Sequence, residues 1–153
     1  MKYDSRKDTL AHKMEVISNL QQVAHGLDDR GLVHDNSKLV GEEKRVFDTI
    51  TPKLKKLSYG SEAYKKSLES MGKALDNHYK ENRHHPEHHD NGIKDMTLLD
   101  LIEMLSDWKA ACMRHDDGDI KKSLEINKER FNISDDIYKM LINTCKELDW
   151  FND

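Results

Sequence analysis

The sequence predicts an all-α protein, a compact single-domain bundle of five to six helices over residues 1–153. Only 36% of the residues are apolar and 35% are charged. A core must therefore come from narrow apolar stripes on amphipathic helices and not from continuously buried strands. Seven Gly and two Pro leave few interruptions, which favours long helices. A chain of this length usually folds around one core, so we expect a single domain.

Charge and cysteine content exclude several classes of function. The net charge is −4 and there is no basic tract, so we expect no tight nucleic-acid binding. Cys112 and Cys145 are too few for a disulfide framework or a Cys-rich zinc site, and we interpret them as helix-packing residues in a reducing compartment. The sequence has neither an apolar leader nor a run of 18 apolar residues. We therefore expect a cytoplasmic protein with no membrane partner.

The first two helices are predicted from periodicity and from their stop signals. The first spans 8–30 and ends at Gly31, with an apolar stripe that is expected to face other helices. The stripe comprises Leu10, Met14, Ile17, Leu20, Ala24 and Leu27. A second, short helix begins near Lys38 and ends before Thr51-Pro52, because the residue before a proline avoids helical geometry. Residues 52–60 are predicted to form a loop.

The rest of the chain alternates helices with polar segments. A third helix runs from Ser61, a plausible N-cap, to Tyr79. The later elements are a polar loop over 82–92, helices over 97–118, 119–131 and 134–148, and a frayed tail over 149–153. Asp117-Gly118 marks the turn after the fourth helix, and Ser134 caps the last one.

The histidines carry the main functional signal. The chain has nine, and their order along it is specific. The sequence places His12 first, then His34-Asp35, His78, His84-His85 and finally Asp107. A divalent transition metal binds neutral imidazole nitrogens and carboxylate oxygens, and helices hold such side chains in fixed rotamers. We therefore predict a His/Asp metal site.

The segment Val33-His34-Asp35-Asn36-Ser37-Lys38 resembles the H-D-x-x-K segment of the HD-domain metal-dependent phosphohydrolases. In that superfamily a His on the preceding helix and a distant Asp on a later helix complete the site. His12 fits the upstream position better than His25, and Asp107 takes the place of the closing Asp. The resemblance implies an HD-domain-like helical fold in which His12, His34, Asp35 and Asp107 hold one metal ion.

Three further histidines resemble those of the binuclear branch of this superfamily, which includes the HD-GYP phosphodiesterases. By this resemblance His78, His84 and His85 bind a second ion, bridged to the first through Asp35. The Gly-Tyr-Pro segment is missing, with Asn91-Gly92-Ile93 near its place, so no cyclic-dinucleotide specificity is implied. The implied cofactor is one or two divalent metal ions: Mn, Fe, Zn, Ni or Mg.

Most of the chain also resembles a set of small uncharacterised proteins of T-even-like phages and some bacteria. The likeness is carried by three segments: His78-Tyr79, Asn82-Arg83-His84-His85-Pro86-Glu87-His88 and Glu103-Met104-Leu105-Ser106-Asp107-Trp108. It implies the fold and the site but no substrate. For a phage-encoded protein, the expected location is the host cytoplasm.

The activity implied is metal-dependent hydrolysis of a phosphate ester, with a nucleotide as the expected small-molecule substrate. Asp35, Lys38 and Glu103 are the predicted catalytic residues. Lys38 and Arg83 are predicted to orient the phosphate. Either Glu103 or Glu43 would act as a proton acceptor or would orient a ligating His.

Alternative interpretations remain open from the residues alone. His12 is also compatible with a half-buried packing residue. Asp107 shares a helical stripe with Asp100 and Glu103, a pattern that is also typical of a solvated face. His88-His89 fit a soluble loop. At the level of function, the alternatives are a di-iron oxygenase of the HD type and a non-catalytic, metal-stabilised protein-binding module.

Overall fold

The computed structural model describes residues 3–58, 60–114 and 118–151 and confirms the all-α class, with no strand among these residues. The helices are α1 (Arg6–Val33), α2 (Gly41–Leu54), α3 (Glu62–Glu69), α4 (Lys73–Glu81), α5 (Leu98–Cys112), α6 (Ile120–Arg130) and α7 (Asp135–Glu147). Short 3₁₀ turns occupy Asn36–Leu39, Pro86–His88 and Gly92–Asp95. Residue contacts group the chain into two units, which meet in sequence between His34 and Asp35. The single domain over 1–153 stays a prediction.

The side-chain caps predicted at Ser61 and Ser134 are confirmed. The hydroxyls of Ser61 and Ser134 accept hydrogen bonds from backbone N–H groups of α3 and α7. The Thr97 hydroxyl does the same for α5, and the Asp100 carboxylate accepts a hydrogen bond from the Thr97 backbone N–H, which completes a capping box. These bonds satisfy amide groups that have no partner within the helix.

Several predicted helix boundaries are wrong, among them that of the fourth helix, which ends at Cys112 and not near Gly118. Gly31 lies inside α1, because its φ is not in the left-handed region that ends helices at glycine. Pro52 lies in the last turn of α2, where losing one N–H donor still allows the helix to reach Leu54. The helix predicted over 61–79 is two helices, α3 and α4, separated at Gly72, which has a φ of 49°. Asp117, of the predicted turn, lies outside the described residues.

The core of the second unit lies between α5, α6 and α7. Its buried apolar residues include Met104, Leu105, Trp108, Cys112, Ile120, Leu124, Leu141 and Cys145. Both cysteines are therefore packing residues, as predicted. Trp150 and Phe151 pack against this core, and the Lys109 ammonium donates to the Trp150 carbonyl at 2.8 Å. The tail predicted to fray is thus packed as far as Phe151, the last described residue.

The first unit consists of α1 with the residues that flank it. None of the residues Arg6–Val33 is buried, and Leu10 and Leu20 are each 62% exposed. The apolar stripe is thus not buried within its own unit, and its expected packing on other helices stays a prediction. Among the described residues, no helix has both the length and the apolar character that crossing a membrane requires.

Candidate metal centre

Four side chains of the second unit bring potential ligand atoms together. One atom each from Asp35, His78, His84 and His85 lies within 4.8 Å of the other three, and we call these residues the His/Asp cluster. The Nε2 atoms of His78 and His84 lie 3.4 and 3.6 Å from Asp35 Oδ1. Ligand atoms about 2.1 Å from a tetrahedral ion are separated by about 3.4 Å. The spacing therefore fits the shell of one metal ion.

Asp35 is held by local backbone geometry and by Lys38. It has a left-handed conformation (φ 56°, ψ 18°) that aspartate tolerates better than most residues, and it begins the 3₁₀ turn Asn36–Leu39. The Lys38 ammonium, one turn later, donates to Oδ2 at 2.6 Å. Oδ1, the other oxygen of this carboxylate, is the one nearest to His78 and His84. The strained residue and its ion pair therefore direct a single oxygen at the imidazoles.

His78 is oriented by a buried carboxylate. The residue lies on α4 with 2% of its surface exposed, and its Nδ1 donates to Glu43 Oε1 on α2 at 2.8 Å. The Ser37 hydroxyl donates to the same oxygen at 2.8 Å, and Asn82 Nδ2 in turn donates to the Ser37 hydroxyl at 2.9 Å. Because Nδ1 carries the proton, Nε2 of the neutral ring presents its lone pair to the cluster.

His84 is oriented in the same way by α5. It is 2% exposed, and its Nδ1 lies 3.2 Å from Glu103 Oε1. Two imidazoles on different segments thus share one arrangement, with Nδ1 towards a carboxylate and Nε2 towards Asp35. Carboxylate partners of this kind fix the tautomer and orientation of metal-binding histidines.

The segment that carries His84 and His85 is anchored by its neighbour Arg83. Arg83 Nε and Nη2 donate to the two carboxylate oxygens of Asp100, at 2.8 and 3.1 Å. Asp100 is fully buried and also closes the capping box of α5. Arg83, a predicted phosphate-binding residue, is therefore engaged by α5 and fixes the His84-His85 segment against the start of that helix.

The electrostatics of the cluster favour neutral imidazoles. Burial, followed by unfavourable electrostatic interaction with His84 and His78, lowers the pKa of His85 to about 2. Burial, with help from the Lys38 charge, also lowers the pKa of His78, against the opposing effect of Asp35 and Glu43. The His78 and His85 Nε2 atoms are 2.8 Å apart, a hydrogen bond in which one ring donates its N–H to the lone pair of the other. A neutral imidazole is the form that binds metals.

A cavity of about 160 Å³ opens beside the cluster, and we call it the cationic cavity. His78, His85 and Asp107 form part of its wall. Its basic lining residues are Lys38, Lys55, Arg114 and Arg130, while Asp107 is its one acidic lining residue among those described. Phe47, Tyr79 and Trp108 supply aromatic surface. Such a cavity is suited to an anion that carries an apolar group.

The predicted site residues divide between the two units. Asp35, His78, His84 and His85 come together, and a carboxylate oxygen of Asp107 lies within 4.8 Å of a ring nitrogen of His84. Asp107 and Glu103 are half-buried, and with Asp100 fully buried this stripe of α5 is not a solvated face. His12 is exposed on α1, and His34 follows that helix directly. These two stay predicted ligands.

Other members of this site were missed or left open by the sequence. His88 is exposed and His89 is half-buried, and their ring nitrogens lie 2.8 and 2.9 Å from the backbone carbonyls of Lys80 and Arg83, so they brace the loop. Asn82 and Asp100 were not singled out. Asp100 follows Thr97 by three residues, which is the spacing of a capping box and could have indicated its role as a cap. That spacing does not predict the ion pair between Asp100 and Arg83.

The comparisons with known proteins name no activity. No curated protein and no solved structure matches the chain. A family model matches residues 1–148, and its description is a family of unknown function (DUF5662). Because that match covers nearly the whole sequence, the chain belongs to the DUF5662 family.

Proposed function

We propose that this protein binds a divalent metal ion at the His/Asp cluster and hydrolyses a phosphate ester there. The observation that carries the proposal is the convergence of three imidazoles and one carboxylate at ligand spacing, with Glu43 and Glu103 behind two of the imidazoles. Structural ion pairs explain carboxylates near histidines, but they do not require the Nε2 atoms of two rings to face the same Asp35 oxygen.

The donor set fits the proposed ion. Imidazole nitrogens with a carboxylate oxygen suit Zn, Fe, Mn or Ni better than Mg or Ca, which prefer oxygen ligands. When bound, such an ion supplies Lewis acidity and a water of lowered pKa. Asp35, His78, His84 and His85 are the residues that would hold it. Asp107, beside His84, supplies a further carboxylate at the rim of the cationic cavity.

The protein's own side chains then bind and orient the ester. Lys38 pairs with Asp35 through one ammonium hydrogen, which leaves two donors for phosphoryl oxygens. Arg114 and Arg130 line the same cavity and add planar donors suited to phosphate. Water adds to phosphorus, the bond from phosphorus to the alcohol oxygen breaks, and a proton from the water ends on the departing alcohol. Asp107 is placed to accept that proton and pass it on.

Metal binding is tested first and without reference to turnover. We expect elemental analysis of untagged protein to find at least one transition-metal ion per chain, and His84→Gln to lower its affinity at least tenfold. The matched control is His88→Gln, because His88 lies in the same loop but outside the cluster. Equal metal content in wild type and His84→Gln would contradict the proposed site.

Turnover is tested next on phosphomonoesters, phosphodiesters and nucleotides with manganese, iron, zinc, nickel and magnesium. We expect hydrolysis with at least one of these metals, and a loss of at least about a hundredfold in kcat/KM for Asp35→Asn. Stoichiometric metal without hydrolysis of any ester would overturn the enzymatic part. Oxygen consumption by the iron-loaded protein would then favour the oxygenase alternative, and a lower melting temperature on chelation alone would favour a structural ion.

A further inference from the structure

A second cavity, of about 340 Å³, adjoins the cationic cavity and plays no part in the proposed chemistry. The two cavities share the lining residues Tyr64, Leu68, Leu75, Tyr79 and Arg130. All of these belong to α3, α4 and α6 of the second unit. The surface that lines the cationic cavity therefore continues into the second cavity, and one ligand can extend from the His/Asp cluster into both.

The second cavity is mainly apolar, and we call it the apolar cavity. Leu68, Leu75 and Ile126 line it together with the two shared tyrosines. Gly60 forms part of the wall, where it packs so closely on the Ile126 side chain that a Cβ would lie 3.1 Å from the terminal methyl group of Ile126. Its volume lies in the range of small-molecule sites. When an apolar group covers such a surface, water is displaced from it and the free energy of the system falls.

Arg130 lies at the junction between the two cavities, and hydrogen bonds hold its guanidinium in place. Arg130 Nη2 donates to Glu87 Oε1 at 2.6 Å and to the Tyr79 hydroxyl at 3.2 Å. Both of these bonds are made by one nitrogen of the guanidinium. Its side chain remains 42% exposed. An anionic group is favoured on one side of this junction and an apolar group on the other.

We infer that the substrate is a phosphate ester of an apolar alcohol, with the phosphate in the cationic cavity and the alcohol's hydrocarbon group in the apolar cavity. This rests on the proposed hydrolysis at the His/Asp cluster and goes beyond it by naming the leaving group. Hydrolysis consumes water and yields phosphate and the free alcohol. A nucleoside fits less well, since its sugar and base carry many polar groups, whereas most of the lining surface of the apolar cavity is apolar and Lys65, Glu69 and Asn127 are its further polar residues.

Binding of alkyl phosphates to the full-length, metal-loaded protein tests the inference. Isothermal titration compares methyl, butyl and hexyl phosphate, with phenyl phosphate as the aromatic arm and adenosine monophosphate as the nucleotide arm. We expect affinity to rise by up to about fourfold for each methylene buried, and at least about tenfold from methyl to hexyl phosphate. Equal affinity along the alkyl series, or tighter binding of the nucleotide than of hexyl and phenyl phosphate, would overturn it.

A matched pair of variants locates the effect. Ile126→Gln removes apolar surface from the cavity at a position that is 37% exposed, so the fold is expected to tolerate it. We expect this substitution to lower the affinity for hexyl phosphate about fivefold to tenfold and to leave the affinity for methyl phosphate unchanged. Met140→Gln, at an exposed apolar position of α7 outside both cavities, should change neither. An equal effect of Ile126→Gln on both ligands would contradict the assignment of the apolar cavity.

The two proposals fail in different ways. If hydrolysis is absent for every ester while hexyl phosphate still binds through the apolar cavity, the proposed enzyme is wrong and the ligand class stands. If esters are hydrolysed with no dependence of KM on chain length, the enzyme stands and the inferred leaving group is wrong. A dependence confined to KM, with kcat unchanged, is the expected result.

Discussion

Helices α1 and α5 both carry apolar residues at helical spacing, yet they differ completely in burial. α1 has 28 residues and none is buried, whereas the 15-residue α5 buries Asp100, Met104, Leu105, Trp108 and Cys112. The polar side chains differ in the same way, since α5 contributes Glu103 and Asp107 beside His84 while His12 on α1 is exposed. Periodicity therefore predicts that a segment is helical, but not what the apolar face contacts.

Core truncation in the second unit should have the largest effect. Leu124, on α6, has no exposed surface. We expect Leu124→Ala to lower the free energy of unfolding by about 3 kcal/mol, because it removes buried methyl groups and leaves a cavity. Urea denaturation followed by circular dichroism measures this. A loss below about 1 kcal/mol would mean that the α5–α7 core is loosely packed in solution.

Loss of the Arg83–Asp100 pair should have the next largest effect. Asp100→Ala removes a bidentate ion pair and a capping box, and we expect a loss of about 2 kcal/mol in the free energy of unfolding. Because the pair anchors the His84-His85 segment, metal affinity should fall as well. Thr97→Ala, which removes the cap but not the pair, is the control and should leave metal affinity unchanged.

The carboxylates behind the histidines should affect metal binding more than stability. We expect Glu43→Gln to weaken metal affinity about tenfold to a hundredfold, since the amide no longer enforces the Nδ1–H tautomer of His78. Competition with a chromophoric chelator measures the affinity. If His12 is a ligand, as its place in the sequence predicts, His12→Ala will weaken binding at least as much. Unchanged affinity would remove His12 from the predicted metal site.

The smallest effect is expected on α1. Leu20→Ala is the same substitution as Leu124→Ala, at a position that is 62% exposed, and should change the free energy of unfolding by less than about 0.5 kcal/mol. Comparable losses for the two variants would show that α1 packs in solution and would erase the contrast between the helices.

The sequence predicted which side chains converge better than it predicted the boundaries of the helices around them. Asp35, His78, His84 and His85 come together as predicted, but their binding of a metal stays a prediction, as does the assignment of His12 and His34 to the same site. Asp100 was missed, because its buried ion pair joins residues 17 positions apart. The break at Gly72 was missed because a glycine inside an apolar period is compatible with an uninterrupted helix until its φ is known.

Composition and spacing by themselves determined the helical class, the capped starts at Ser61 and Ser134, and the residue types of the His/Asp cluster. These depend on local backbone bonds and on side-chain chemistry, which a sequence states directly. Only the tertiary structure decided that Glu43 and Glu103 orient two different imidazoles, that Arg83 anchors a loop, and that an apolar cavity adjoins a cationic one. Those relations depend on how α2, α3, α4, α5 and α6 pack in three dimensions, and no local sequence pattern encodes that packing.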